Sequence, residues 1–279
     1  MKQIFNIARK EFSDGMRNRW ILAISLLFAV LAVGITWFGA AASGQVGFTS
    51  IPATIASLAS LASLATFLMP LIALMLAYDA VVGEEEGGTL MLLLTYPLSR
   101  GQLLTGKFVG HGCILGLATL IGFGSAAIAI ALWVPDVSLA TLIYSFGRFI
   151  VSSVLLGLVF LAFAYVLSSH ATEKSTAGGL ALGVWFLFVL VFDLALLTIL
   201  VVTEGRISPE LLPWLLLLNP TDIYRLINLG GFEAGGQGMG VMALAADLPV
   251  GAAMLWACLT GWVVAILLLA HWRFAKRLG

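Results

Sequence analysis

Apolar residues fall in six long runs separated by polar breaks: 20–38, 58–82, 113–134, 146–167, 180–202 and 251–271. A helix needs about 20 mostly apolar residues to cross a bilayer, so each run predicts a membrane span. Before the first run the pattern changes. Ile4, Ala8, Phe12, Met16 and Trp20 recur at helical spacing, with Lys2, Arg9, Lys10, Ser13 and Arg17 off that stripe. This predicts a basic amphipathic helix lying in the interface against anionic membrane lipids. It is either a plain juxtamembrane anchor or an elbow that braces the first span. Within the second run, ASLASLASLAT (56–66) repeats every three residues, so Ser57, Ser60, Ser63 and Thr66 form a slowly spiralling polar seam. Such a seam suits close helix packing or, alternatively, the lining of a conduit. Pro70 is expected to kink this helix.

Composition strengthens the membrane reading. Of 279 residues, 61% are hydrophobic and 10% charged, where a soluble domain carries roughly 25% charged residues. The net charge is zero and gives no sign of nucleic acid binding. Six spans put both termini on one side, and the cations choose the side. Lys2, Arg9, Lys10, Arg17, Arg19, Arg100, Lys107, Lys174, Arg273, Lys276 and Arg277 share it, leaving Arg148, Arg206 and Arg225 opposite. The cation-rich side is expected to be the cytoplasm. The first run is followed by GAAASG, which resembles a signal cleavage site. Its apolar length exceeds the ~7–15 residues of a signal peptide, so it reads as an anchor. Cys113 and Cys258 lie in apolar runs and are expected to be buried packing thiols.

The connections carry the rest. Between 83 and 107 the chain is polar but keeps LMLLL, and Gly87-Gly88 and Tyr96-Pro97 bracket a short apolar helix over 89–95. Ser99 is a candidate cap for the next helix, which runs through Gly106 and Lys107 into the third span. SSHATEKSTAGG reads as a short turn on the cytoplasmic side. The last connection, 203–250, faces outward. In it Ser208-Pro209-Glu210 starts a helix, LLPWLLLL lies in the interface with Trp214, and Asn219-Pro220-Thr221-Asp222 caps a second short helix, IYRLINL. A glycine-rich stretch follows. A single domain, 1–279, accounts for the whole chain, with 1–19 as the amphipathic helix.

GQLLTGKF (101–108) nearly spells a nucleotide-binding P-loop. Phe108 stands where a Ser or Thr would hold Mg²⁺, no β-strand precedes it, and the helix that follows enters the bilayer. ATP binding by this chain is therefore not expected. Gly106 and Gly110, and Gly112 and Gly116, have instead the four-residue spacing of close helix contact. Lys107 is expected to snorkel toward the headgroups.

The stretch EEEGGTLMLLLTYPLSRGQLLTGK resembles the signature of exporter-type (type-2) ABC permeases. Its matching residues are Glu84, Glu85, Glu86, Gly88, Thr89, Leu90, Leu92, Leu93, Leu94, Pro97, Ser99, Arg100, Gly106 and Lys107; Met91 departs from a position often acidic in that family. The resemblance extends over the whole chain. It implies an all-α membrane protein with six spans, an N-terminal elbow helix, a cytoplasmic coupling helix and short outer helices before the last span. The coupling helix would dock on a separate cytoplasmic ATPase subunit holding ATP and Mg²⁺, with this chain binding no cofactor and a second copy of itself completing the transporter. An apolar helix flanked by carboxylates suits such a groove contact.

Within the family, KQIFNIARKEFSDGMRNRW, the same acidic stretch and LLPWLLLLNPTDIYRLINL resemble the branch serving nitrous oxide reductase. That branch implies an inner-membrane permease for maturing the enzyme's copper–sulfur centre, with a periplasmic β-helical partner. Trp214, Asn219, Asp222, Tyr224 and Arg225 would then form the partner's platform. The cargo stays open between sulfur and copper species.

Asp193 lies deep in the fifth run, where a carboxylate must find protein or water. It is either a polar point on the cargo path or a proton relay, or it is satisfied by a neighbour such as Thr198 or another helix. Asp79 reads as structural. Met239, Met242, Met254 and Cys258 could offer soft ligands to copper or simply fill apolar gaps; no metal site is assigned. His111, His170 and His271 fall on the cytoplasmic side, and no catalytic constellation is present. Two alternative functions remain: an ABC exporter of a lipid, drug or antibiotic, and an ion-coupled secondary transporter using Asp193. Inverted repeats with broken helices would mark the latter, and the sequence has no such pair.

Overall fold

The computed structural model describes residues 2–17, 19–42, 51–89, 99–133, 138–203, 211–229 and 251–277. The described residues form helices and turns with no strand. The helices are α1 (Lys2–Arg17), α2 (Arg19–Ala42), α3 (Ile51–Ala77), α4 (Val82–Glu86), α5 (Arg100–Trp133), α6 (Leu139–His170), α7 (Lys174–Phe186), α8 (Phe192–Val202), α9 (Leu212–Leu217), α10 (Pro220–Leu229) and α11 (Ala252–Arg277). A π-helical segment, Leu187–Val191, joins α7 to α8.

Among the described residues, five stretches are long and apolar enough to cross a membrane: Ser57–Glu86, Arg100–Trp133, Leu139–His170, Lys174–Val202 and Ala252–Lys276. The first run is helical over all 24 residues of α2, with Ser25–Trp37 as a shorter apolar portion. Helices outrun the apolar stretches because backbone hydrogen bonding continues until a cap stops it. Thus α3 begins at Ile51, not at 58. Ser99 and Gln102 form a reciprocal capping box, with Gln102 N donating to Ser99 Oγ at 3.2 Å and Ser99 N to Gln102 Oε1 at 3.1 Å. From there α5 runs unbroken for 34 residues. Ser138 caps α6 one way, its Oγ accepting from Thr141 N at 3.5 Å.

Helix α6 is the centre of the bundle, in contact with α3, α5 and α11. Leu156, Val159, Phe160, Leu161, Ala162, Ala164 and Tyr165 are fully buried there. The seam of α3 turns as its period predicts: Ser57 and Thr66 are buried, whereas Ser60 and Ser63 lie on the exposed face. Thr66 and Ser63 donate to carbonyls one turn back on their own helix. Cys113 is exposed on the bundle surface, contrary to expectation, because its side of α5 faces away from the neighbouring helices.

Both ends of the chain meet at the start of α5. Helix α1 lies along it, while Arg100 donates to Ala275 O at 3.0 Å and Thr105 Oγ sits 3.0 Å from His271 Nε2 on α11. The cation-rich segments therefore share one end of the bundle.

Candidate functional site

At that end, Lys107 occupies the predicted glycine-lysine pair but does not snorkel. Its side chain is only 7% exposed and lies between two carboxylates, 3.0 Å from Glu11 on α1 and 2.9 Å from Glu84 on α4. The reason is the glycine spacing. A Cβ at Gly106 would fall 2.7 Å from Ile7 Cβ, and one at Gly110 would fall 2.6 Å from Glu11 Cβ and 2.9 Å from Ala8 O. The two glycines let α1 lie almost backbone to backbone on α5, which brings Glu11 over Lys107 and shuts out solvent. Gly112 instead faces Leu158 at 3.0 Å, and Gly116 has open space.

The knot reaches further. His111 Nε2 is 3.8 Å from Glu11, and its Nδ1 is 2.7 Å from the hydroxyl of buried Tyr165 on α6. The turn before α4 is seated on α6, with Val81 N and Val82 N donating to Ser168 Oγ at 2.9 and 3.1 Å. Glu86 accepts from Lys174 N at 2.7 Å. Glu85 and Glu86 are exposed. Thr89 Oγ hydrogen-bonds the Glu84 carboxylate and backbone carbonyl. Gly88 takes φ +68°, the left-handed conformation that stops a helix and favours glycine. Leu90, Leu92, Leu93 and Pro97 lie outside the described residues, as do Met239 and Met242. The arrangement fastens a short acidic segment to α5, α6 and α7, and through Lys107 to α1, with the Glu85 and Glu86 side chains exposed at its surface.

Sequence reasoning missed Glu11. One signal existed: it follows Ile7 by four residues and Ala8 by three, an acid on the packing flank of an amphipathic helix.

A second cluster lies at the opposite end of α6. There α10 is buried, and Asn219, Asp222 and Tyr224 are respectively 0%, 2% and 0% exposed. These three are therefore not on a surface a partner could touch; they hold α10 in place. Trp214 on α9 is exposed. Arg225 donates to Asp193 on α8 at 2.5 Å and to Asp222 at 3.1 Å. Asp193 is thus satisfied by another element, while Thr198 Oγ donates to Leu194 O on its own helix. Burial first, and the Asp193 charge second, push the Asp222 carboxyl up to about 7 against the pull of Arg225. Arg148, exposed by position, turns its guanidinium onto Ile227 O. Among the described residues no group of three His, Cys, Asp or Glu is placed to hold a metal ion.

Comparison with known proteins agrees with this architecture. A model described as "ABC-2 family transporter protein" matches residues 5–277. A curated relative from Stutzerimonas stutzeri, "Probable ABC transporter permease protein NosY", is 74% identical over 100% of both chains. A relative of the same description from Pseudomonas aeruginosa is 70% identical over 99% of each chain. With a match of this extent and identity of this order, the chain belongs to the ABC-2 family of transporter proteins and is an ABC transporter permease.

Proposed function

We propose that this permease serves an ATP-driven machine that helps mature nitrous oxide reductase by acting in the assembly of its copper–sulfur centre. Two copies pair in the bacterial inner membrane with all termini in the cytoplasm. Each contributes six spans, of which α2 is the first, with α1 as the elbow beside it. ATP and Mg²⁺ sit on two separate cytoplasmic ATPase subunits, each gripping the 83–107 connection. A periplasmic β-helical protein covers the outer connection, 203–250, where Trp214 is a contact residue. Support comes from the NosY description of both relatives, the three resembling stretches and the asymmetry of the cations.

The observation that carries the coupling role is the burial of Lys107 between Glu11 and Glu84. A push on the acidic segment is passed through that contact to the elbow helix and the third span together. The test reverses the exposed charges, Glu85→Lys with Glu86→Lys, in the chain expressed with its native partners. The ATPase is expected to detach on purification, or to hydrolyse ATP without supporting formation of the copper–sulfur centre. Unchanged assembly and unchanged maturation would reject the docking role.

A further inference from the structure

Two spans are lightly buried within the chain: 11% of the most apolar stretch of the fifth and 17% of that of the last, against 50–56% for the second, third and fourth. Among the described residues, the fifth is the one that also breaks its own ladder, at the π-helical segment Leu187–Val191. Such segments alter which backbone groups a helix satisfies internally and recur at functional sites. Here Phe188 O accepts from Asn219 Nδ2 at 2.9 Å, with Thr221 Oγ 3.2 Å away. Little more than a turn further on, Asp193 meets Arg225. The polar contacts of Phe188 and Asp193 with other elements run to Asn219, Thr221, Asp222 and Arg225.

Helix α10 is held in turn by α6. Asn228 Nδ2 donates to Ser152 Oγ at 2.9 Å, the hydroxyls of Ser153 and Tyr224 lie 3.0 Å apart, and Arg148 bonds Ile227 O. Trp262 on α11 donates to Leu217 O at 3.2 Å, just ahead of α10.

We infer that α10 and the outer half of the fifth span form one latched body, with Arg225 as the latch and Asp193 as its positioning counter-charge rather than a cargo ligand. A displacement of the outer connection is then delivered straight to the fifth span. That consequence rests on the transporter reading; the latch does not. The geometry favours this role because Asp193 Oδ2 accepts from Arg225 at 2.5 Å, which sets the charge of one element directly against that of the other. The polar capture of Phe188 O also makes the same link without any charge.

The test is hydrogen exchange on the full chain in lipid nanodiscs at fixed neutral pH. Arg225→Ala and Asp193→Ala are each expected to speed exchange in both 187–202 and 220–229 by about tenfold or more, leaving 100–133 unchanged. Acceleration of one segment alone, or of neither, would overturn the latch. A second measurement bridges Asp193→Cys to Arg225→Cys with a flexible bis-methanethiosulfonate spacer, which joins each thiol by a reducible disulfide with loss of sulfinate, in a chain also carrying Cys113→Ser and Cys258→Ser. Here the readout is ATP-driven turnover of the reconstituted complex, compared before and after bridging. Turnover within about twofold of the unbridged value supports one body; a block that reduction relieves contradicts it. Should the double-cysteine chain be inactive before bridging, exchange alone decides. Purification without any ATPase would sink the transporter reading and leave the exchange result standing.

Discussion

Each end of this bundle holds a cation between two carboxylates, and the two clusters differ in what they join. Lys107 binds Glu11 and Glu84, which come from two other elements, so three elements meet on one ammonium. Arg225 binds Asp222 three residues before it on the same helix, and Asp193 on α8, so two elements meet on one guanidinium. The lysine is a compact charge that a few donors satisfy; the arginine is a planar fork that sets orientation. In the inner knot the cation is the driest member, Lys107 at 7% exposure beside Glu11 at 13% and Glu84 at 23%; in the outer cluster one carboxylate is, Asp222 at 2%, while Arg225 is at 16% and Asp193 at 35%. The inner end is thus built to hold several pieces in one place. The outer end is built to keep a lightly buried span in register with a short helix.

The strongest way to break the comparison is Lys107→Met. It leaves two half-buried carboxylates without the buried cation they share; losing one partner of a fully buried ion pair costs about 3–5 kcal/mol, an upper bound for these partly exposed acids. Thermal unfolding of the purified chain should fall steeply, and any ATPase should be lost with it. Next is Gly110→Leu, whose side chain would run into Ala8 O and Glu11. Overpacking of this kind costs about 1–3 kcal/mol, read as faster proteolysis within α1. Arg225→Lys sharpens the contrast by keeping the charge and removing the fork, with an expected loss of about 1–2 kcal/mol in the outer cluster alone.

A pH series probes the same cluster more gently. The Asp222 carboxyl is raised in the fold, so its contribution to stability is full below its unfolded value of about 4. That contribution is lost as pH rises toward about 7. Protection from exchange at 220–229, taken relative to the intrinsic rate at each pH, should therefore fall a few-fold between those limits, and Asp222→Asn should flatten the response. Asp14→Asn is the control. Its partner Lys10 is 61% exposed, so about 0.5 kcal/mol or less is expected.

Much of this was legible in the chain itself. Composition marked the apolar helices, Ser99 marked the start of α5, and the Gly106–Gly110 spacing marked a close contact. These features are local, set by the period of a helix and the needs of its first turn. The partner in that contact was not legible, because nothing in 101–116 says that α1 rather than another span lies against it. Glu11 was missed for the same reason, since its place on the packing flank of α1 does not say what it packs against. The outer connection misled more. Asn219, Asp222 and Tyr224 have the polarity of a surface loop, yet in α10 they satisfy one another, Ser153 and the Phe188 carbonyl. Polarity in a membrane protein marks what must be paired and does not say whether the partner is internal.

The central claim is that the acidic segment next to Lys107 is where an ATPase attaches. A photo-crosslinking amino acid at Glu85, introduced into the full chain in its native membranes, tests it most directly. The account predicts a crosslink to a cytoplasmic ATP-binding subunit, abolished by Lys107→Met. Crosslinks confined to lipid or to the chain itself, with no ATPase accompanying the protein in mild detergent, would contradict it.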